Sequence, residues 1–599
     1  MPSAQLVSAS NTITESVPMD GISKRGWNSA AAIIRTQQNQ QQLRYFAAAI
    51  CGLIAVFILS HWLHLLLNHR SPQSNNPVRA ITRKVRKILI RKVTGLTSSG
   101  HALVVASYVA INLSLTFTNV TISISGVANR CGWMLVANFC LVVFLALKNT
   151  PLAILSAYSY ERLNGLHQIA GYTTFAYLVL HASMYTDAFF DMGSIAIFKT
   201  ASVKAGIVAG FGFLGVVFSA AIVRHIWYEA FFVMHVVCFM VTIIAASFHQ
   251  SDLSSGLLVI FSIIAGMWGA DRLVRGSRVL VRSINNHATI EPLPHGGTKI
   301  VLAKRPKGAI PGKHCFVWIP AIRKFESHPF TIAATEPMEF VVNACDGFTR
   351  DLHKHATLHP GAKLMASVDG PYGTFPDPLS FDKVVLIAGG SGATFTFGLA
   401  INMLERMTLE STNHIAFIWA VKKHDNLSWF TNHLQTLKNH PNASKVNVAL
   451  YVTSVSSNPP TAENSDVDEE RMIPSAIASL DGDDEKKVIA TLTRGTSADS
   501  GADNNVDPEK GITISQHVPA NRMPSNESLN SFYGHNLRPG RPDTATLIRG
   551  AVSSAQRTEK ILVAACGPSG LMKTVRNTTA SLISVDGPGI ELHCEQFGW

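Results

Sequence analysis

Charge is scarce in this sequence. Only 15% of its 599 residues are Asp, Glu, Lys or Arg, and 47% are hydrophobic, whereas soluble domains carry about 25% charged residues. Mean hydropathy is positive, at +0.19. That balance argues against a wholly cytosolic enzyme and excludes a disordered or fibrous chain. Acids are scarcer than bases, 39 against 51, which gives a net charge of +12 and a pI near 9.3. Excess positive charge suits nucleic acid or a membrane protein, and with so few charges in total the membrane is the better account. The eight cysteines (51, 131, 140, 238, 315, 345, 566 and 594) include no CxxC pair and no zinc spacing. They read as buried apolar residues rather than a disulfide framework. Residues 1–43 are polar and contain QQNQQQ, without the short apolar core and cleavage site of a secretory signal. The first apolar stretch is therefore expected to be a retained anchor.

Long apolar runs are what the sequence has instead. Seven of them, at about 44–67, 102–120, 131–148, 166–188, 205–223, 230–249 and 256–271, approach the length that a hydrocarbon core of about 30 Å requires of a helix. The expectation is a multi-pass helical membrane domain of about seven spans. Residues 68–100 hold eight Lys or Arg and no acid. Alternate short loops from there carry fifteen Lys and Arg in total, including Lys148, Arg162, Arg224, Arg272, Arg275, Arg278 and Arg282; the opposite loops carry only Arg130, Lys199 and Lys204. The bias places the N-terminus outside and the long C-terminal half in the cytosol. No nucleic-acid partner is expected, because the basic loop lies between two spans. Asn119-Val-Thr121 is then an outward-facing glycosylation sequon close to the membrane.

The remainder reads as two further domains, consistent with the two to four that this length allows. The division is a tail over 1–43, a membrane domain over 44–275, a β-rich domain over 280–378 and an α/β domain over 380–599. Short β-like runs (Ile300–Leu302, Phe316–Ile319, Phe340–Asn343) alternate with Pro and Gly turns up to Tyr372. From Lys383 the order becomes strand, glycine turn, apolar helix, strand. Residues 455–530 interrupt it with Ser, Asn, Asp, Pro and Gly, 14 acids against 6 bases. They read as a disordered insertion, and an inert loop is a better account of it than a regulatory one.

Four histidines stand at membrane depth. His167 and His181 are separated by fourteen positions in the fourth span, and His235 and His249 by the same interval in the sixth. Fourteen residues at about 100° each return to within about 40° of whole turns, so each pair shares a helix face, about 21 Å apart. Two such helices running in the same direction present two levels: His167 with His235, and His181 with His249. Each level suits six-coordinate iron with two imidazole ligands. A buried interhelical hydrogen bond explains one such pair equally well; two identical spacings weigh against that. His61, His64, His69 and His225 lack the spacing and read as structural or interfacial.

These helices, together with Glu161-Arg162-Leu163-Asn164-Gly165-Leu166-His167, make the chain similar to the fungal transmembrane ferric reductases, relatives of the NADPH oxidases in one flavocytochrome b superfamily. The resemblance runs from about residue 100 to Trp599, the insertion excepted. It implies that the four histidines are axial ligands of two b-type haems. It also implies a ferredoxin-reductase-like cytosolic module of FAD β-barrel and NADPH-binding α/β domain. His328-Pro329-Phe330-Thr331 resembles the flavin motif, and Thr349 and Arg350 in Gly-Phe-Thr-Arg and the run Asp369-Gly-Pro-Tyr-Gly373 support it. Gly389-Gly390-Ser391-Gly392-Ala-Thr394 after a strand resembles the nucleotide motif rather than the GxGxxG fingerprint, and Cys566-Gly567-Pro568 follows a second strand. Lys422, Lys423 and Arg541 are candidates for the 2′-phosphate of NADPH, with a solvated lysine pair the alternative. Trp599, the terminal aromatic, is implied to cover the flavin ring, or it is a packing residue.

The function implied is electron transfer from cytosolic NADPH through FAD and two haems to an external ferric or cupric chelate, with no catalytic acid or base. Reduced metal would feed an iron permease or multicopper oxidase system, most simply at the plasma membrane. A superoxide-forming NADPH oxidase is the rival within the superfamily. A seven-span receptor or transporter leaves the glycine motifs and the cytosolic half unexplained.

Overall fold

The structure, a computed structural model, describes residues 21–69, 77–249, 255–454 and 531–595. Its first half is helical: α1 (Gly21–His69), α2 (Pro77–Leu89), α3 (Ser99–Phe117), α4 (Ile124–Ala146), a short α5 (Leu152–Ser156) and α6 (Tyr160–Asp191). α7 (Ala201–Phe218) runs through a π turn (Ser219–Val223) into α8 (Arg224–Ile226), and α9 (Tyr228–His249) and α10 (Ser255–Ser283) follow. Among the described residues, six helices are long and apolar enough to cross a membrane. They are α1 over Ala32–Leu63, α3, α4, α7 with α8, α9, and α10 over Gly256–Ser283. α6 is also of spanning length, at 32 residues. It is less apolar because it carries Glu161, Arg162, His167, Gln168, His181 and Asp187. The seven expected spans therefore fall on α1, α3, α4, α6, α7, α9 and α10. Two details differ from the sequence reading. α1 extends back to Gly21, so much of the expected N-terminal tail belongs to the same helix. The basic stretch between the first two spans contains a helix of its own, α2.

Helix starts follow side-chain capping. Ser98 accepts from His101 N at α3, Ser123 from Gly126 N at α4, and Thr200 from Val203 N at α7. α4 is the most enclosed span, and its polar residues are paired within the bundle. Tyr108 Oη donates to Asn138 Oδ1 (2.5 Å), and Asn138 Nδ2 donates to Asn112 Oδ1 (2.7 Å). Arg130, counted above as a loop charge, is 1% exposed. Its guanidinium donates to Asn39 of α1 and to the carbonyls of Leu115, Thr118 and Asn119 at the end of α3. Leaving such a buried group unpaired would cost on the order of 1–3 kcal/mol or more, so Arg130 fixes how three helices meet.

The barrel contains β1 (His287–Leu293), β2 (Gly297–Leu302), β3 (His314–Trp318), β4 (His328–Thr331), β5 (Ala334–Thr335), β6 (Met338–Asn343), α11 (Phe348–Leu358), β7 (Ala362–Met365) and β8 (Ser367–Tyr372). They form a five-stranded sheet, β5-β6-β2-β1-β7, and a three-stranded sheet, β4-β3-β8. Ile290, Ile300, Phe340 and Phe348 fill the core.

The last domain is doubly wound. It comprises β9 (Lys383–Gly389), α12 (Ala393–Arg406), β10 (His414–Val421), α13 (Thr431–Asn439), β11 (Val446–Val452), β12 (Ser531–Phe532), β13 (His535–Pro539), α14 (Thr544–Ser553), β14 (Lys560–Cys566), α15 (Ser569–Leu582) and β15 (Gly589–Glu595). The sheet order is β12-β13-β11-β10-β9-β14-β15, parallel except for β12. Val384, Leu386 and Ala388 of β9 enter one core and Val385 and Ile387 the other. Covering both faces is why that strand is apolar without alternation. The expected insertion, residues 455–530, falls between β11 and β12 and lies outside the described residues.

Candidate electron-transfer site

Two antiparallel helix pairs, α4 with α6 and α7 with α9, hold the four histidines. On α6, His167 Nδ1 hydrogen-bonds to Val142 O (3.0 Å) and His181 Nδ1 to Ala128 O (2.9 Å), both carbonyls of α4. On α9, His235 Nδ1 hydrogen-bonds to Val216 O of α7 (3.1 Å) and His249 Nδ1 to Ser202 O of α7 (2.9 Å). The two pairs repeat one plan. In each, a carbonyl fixes Nδ1 as the protonated nitrogen, which leaves Nε2 with its lone pair for a metal.

The rings of His181 and His249 have centroids 6.1 Å apart. Two metal–nitrogen bonds of about 2 Å and two ring half-widths of about 1 Å sum to about 6 Å, so the pair fits one iron between the rings. Glycines stand behind both rings. A Cβ at Gly132 of α4 would lie 2.8 Å from His181 Cε1, and one at Gly206 of α7 would lie 2.5 Å from His249 Cε1. Between the two histidine levels each of the four helices contributes a phenylalanine. Phe139 lies 5.6 Å from Phe213 and 5.8 Å from Phe239, and Phe175 stacks on Phe213 at 6.3 Å.

The His167–His235 level faces the barrel. Tyr160 and Glu161, about 9–11 Å along α6 from His167, reach into it: His314 Nε2 lies 2.8 Å from Tyr160 Oη and 2.9 Å from Glu161 Oε1. Lys148 lies over the Phe316 ring at 3.3 Å, and burial lowers its pKa well below the ordinary lysine value. Asp369, 1% exposed, takes a 2.6 Å bond from Arg275 of α10, with Arg278 at 3.6 Å. Arg282 donates to Gly370 O and Val368 O. The expected flavin run Asp369–Gly373 thus docks the barrel on the last span. Three of the arginines counted in the last basic stretch are the ones that grip it.

His328, Pro329, Phe330 and Thr331 form β4, paired with β3. His328 stacks on Phe348 at 4.6 Å. Burial lowers its pKa, while the adjacent Glu326 opposes that shift. Thr349 and Arg350 occupy the first turn of α11, whose free N–H groups suit a diphosphate. The Arg350 side chain is 65% exposed, 3.9 Å from Asp346. Glu229, at the start of α9, presses its carboxylate against Gly347, the residue that caps α11 with φ +54°. The start of α9 and β4 therefore meet at one point: ligand atoms of Glu229, Glu326 and His328 lie within 4.8 Å of one another.

In the last domain, Gly389, Gly390, Ser391 and Gly392 form the turn between β9 and α12, with Gly390 at φ +57°. Thr394 is buried and its hydroxyl donates to Ser391 O (3.0 Å). Cys566, Gly567 and Pro568 end the adjacent strand and back directly on this turn. A Cβ at Gly392 would lie 2.5 Å from Cys566 O, and one at Gly389 would lie 2.8 Å from Pro568 Cδ. Burial pushes the Cys566 thiol up to about 12, so it is an inert packing group at this edge. Lys422 and Lys423, after β10, and Arg541, after β13, are exposed at the same carboxyl edge of the sheet, where open α/β sheets bind ligands. Trp599 lies outside the described residues.

Three matches with family models cover this architecture: a ferric reductase like transmembrane component over residues 131–246, an FAD-binding domain over 285–375 and a ferric reductase NAD binding domain over 381–580. Over residues 131–246 and 381–580 the chain is thus similar to the domains of ferric reductases. A probable cell surface ferric reductase of Aspergillus oryzae is 25% identical over 59% of this chain and 51% of its own length. A ferric/cupric reductase transmembrane component of Saccharomyces cerevisiae is 25% identical over 76% of this chain and 59% of its own. The chain thus spans about half to three-fifths of these ferric reductases. A ferredoxin NADP+ reductase from Neisseria gonorrhoeae, solved with FAD and NADP, aligns with 52% of the chain and 98% of its own at 12% identity and a TM-score of 0.31, too distant to bear on function.

The glycines behind the histidines, the phenylalanines between the levels and the Asp369–arginine grip escaped the sequence reading. Backbone carbonyls leave no side-chain signal, and a glycine's packing partner is set by the helix opposite.

Proposed function

We propose that this chain is a transmembrane ferric-chelate reductase. Cytosolic NADPH would donate, two b-type haems would lie in the membrane, and a ferric or cupric chelate would accept electrons on the far side. One observation carries the reading: four membrane-depth histidines, in two repeated helix pairs, each with Nδ1 held by a carbonyl and Nε2 left for a metal. FAD supplies the conversion of a two-electron donor into single-electron steps, and haem iron supplies one-electron carriers.

The chain's own residues do the positioning. The glycine turn at 389–392, backed by Cys566–Pro568, lets a nucleotide diphosphate approach the backbone, and Lys422, Lys423 and Arg541 would meet a 2′-phosphate. His328, Thr331, Thr349 and Arg350 would hold the flavin and its diphosphate, and Trp599 would cover its ring. Tyr160, Phe316 and Tyr372 form a buried aromatic contact between barrel and spans, which keeps water from the passage to the His167–His235 level. The four phenylalanines do the same between levels. A dry, fixed surround holds down the reorganisation that each change of charge requires.

The basic loops favour an outside N-terminus and a cytosolic C-terminal half, most simply at the plasma membrane. An iron permease or multicopper oxidase would take up the reduced metal. The experiment is to give NADPH to the purified, cofactor-loaded protein in detergent and measure ferric-chelate reduction beside superoxide formation. Chelate reduction that persists without oxygen, with an absorption band of six-coordinate haem, supports the reading. Superoxide as the main product would turn it into an oxidase, and absence of a haem band would remove the haem assignment.

A further inference from the structure

α2 has two faces with different surroundings. One face holds the nucleotide-binding domain. Arg83 Nη1 donates to the carbonyls of Val585 (2.7 Å), Gly587 (2.9 Å) and Ser584 (3.3 Å) in the loop after α15. Arg86 lies 3.9 Å from Glu591, the Lys92 amide donates to Asn577, and Ile90 packs against the domain's core. The other face is apolar and, among the described residues, uncovered. Ile81, Val85 and Ile88 are 62%, 46% and 62% exposed, and their i, i+4, i+7 spacing aligns them in one stripe. Lys84 is exposed beside it, and Arg91 is exposed just beyond the helix.

The chain says what must lie close to that stripe. α1 ends at His69 and α2 begins at Pro77, a link that extends at most about 28 Å. α3, the next span, begins at Ser99. α2 is thus tied at both ends to membrane spans, on the side where the nucleotide domain sits. An amphipathic helix with aliphatic residues on one face and Lys and Arg around it has the composition of an interfacial helix. Basic residues at that depth are complementary to anionic headgroups.

We propose that α2 lies in the plane of the leaflet on the nucleotide-domain side. Ile81, Val85 and Ile88 enter the acyl boundary, and Lys84, Lys87 and Arg91 meet anionic phospholipid. Through Arg83 and Arg86 this seat clamps the nucleotide-binding domain against the membrane domain, so anionic lipid strengthens the docking. The seat depends on the spans and the α2 contacts only, and stands or falls separately from the haem assignment.

The test uses the full chain in nanodiscs made with and without phosphatidylserine. Val85→Trp is compared with the parent, using phospholipids brominated at shallow acyl positions. The expected result is additional, bromine-quenched, blue-shifted emission from the variant, with stronger quenching when phosphatidylserine is present. Hydrogen exchange of residues 577–591 should also slow with phosphatidylserine. Lys84→Glu with Lys87→Glu, which alters only surface charge, should abolish that lipid dependence while exchange of β9 and β10 stays as in the parent. Emission from the introduced tryptophan that is neither quenched nor shifted would leave the stripe in water, available to a protein partner, and would overturn the proposal. Exchange at 577–591 that ignores phosphatidylserine in the parent would overturn the lipid-controlled clamp.

Discussion

The imidazoles of His181 and His249 face each other with ring centroids 6.1 Å apart and planes at 83°, each ring seated against a glycine of the neighbouring helix. The glycines set that separation, because any side chain at Gly132 or Gly206 would occupy the volume of a ring. Gly206→Ala is therefore expected to displace His249 and lose the haem of that level while the other level stays loaded. Haem content per chain and the low-temperature absorption spectrum read the outcome: one haem in the variant where the parent has two. A variant that keeps both would show that α7 can give way.

Substituting a ligand directly should be cleaner. His181→Ala or His249→Ala removes one imidazole without crowding, so the proposed haem of that level should be lost while flavin reduction by NADPH, assigned to the domains that follow α10, is unchanged. Stopped-flow traces at flavin and haem wavelengths separate the two steps.

Asp369 is the acceptor of the arginine grip between α10 and the barrel. Removing one partner of a buried ion pair costs on the order of 3–5 kcal/mol, and Arg275 would be left buried without its carboxylate. Asp369→Ala should slow electron passage from flavin to haem several-fold, with the nucleotide-to-flavin rate held. Equal slowing of both steps would mean that the barrel itself is damaged.

This part of the molecule also shows what the sequence could and could not convey. The four histidines were legible because a fourteen-residue interval repeats on two apolar stretches, and side chains carry that signal. The strand-glycine-helix order at 383–406 was legible for the same reason, since glycine at a tight turn and an apolar strand are both local. The role of Asp369 was not, because its partners are 91 and 94 positions away and a run resembling a flavin motif gave a different explanation. α2 was hidden within a stretch that its charge marked only as a loop. α6 has the length of a span but not the apolarity of one, because its face is spent on histidines and on contacts with the barrel.

His433 gives a pH dependence. It is 6% exposed, among Phe397 and Phe430, and burial, with a smaller push from Lys299, lowers its pKa to about 4. Glu339 lies 3.8 Å away, but burial raises its own pKa, so it offers little charge in acid. The unfolded chain takes up this proton near pH 6.5 and the folded chain only near 4, so the unfolded state binds more protons between those values. Stability is then full above about pH 6.5 and declines as pH falls towards 4, by at most about 3 kcal/mol. Thermal unfolding of the parent and His433→Gln over that range checks it: the variant should show the shallower slope.

Lys422 and Lys423 stand at the carboxyl edge of β10, where a 2′-phosphate would lie. Replacing both by Ala should raise KM for NADPH by roughly ten- to a hundredfold, as expected for losing charge-assisted contacts of about 1.5–3 kcal/mol, and leave KM for NADH nearly unchanged. Equal effects on the two nucleotides would reduce the pair to solvated lysines, and Arg541→Ala would then be the variant to compare.

The central claim is that electrons cross the membrane through the two histidine levels. It is tested most directly in sealed proteoliposomes with the nucleotide-binding domain facing out, a ferric chelate trapped inside and NADPH added outside. The account predicts that the trapped chelate is reduced in the parent and not in His249→Ala, while flavin reduction proceeds in both. Trapped chelate that stays ferric in the parent, or is reduced equally well in His249→Ala, would contradict it.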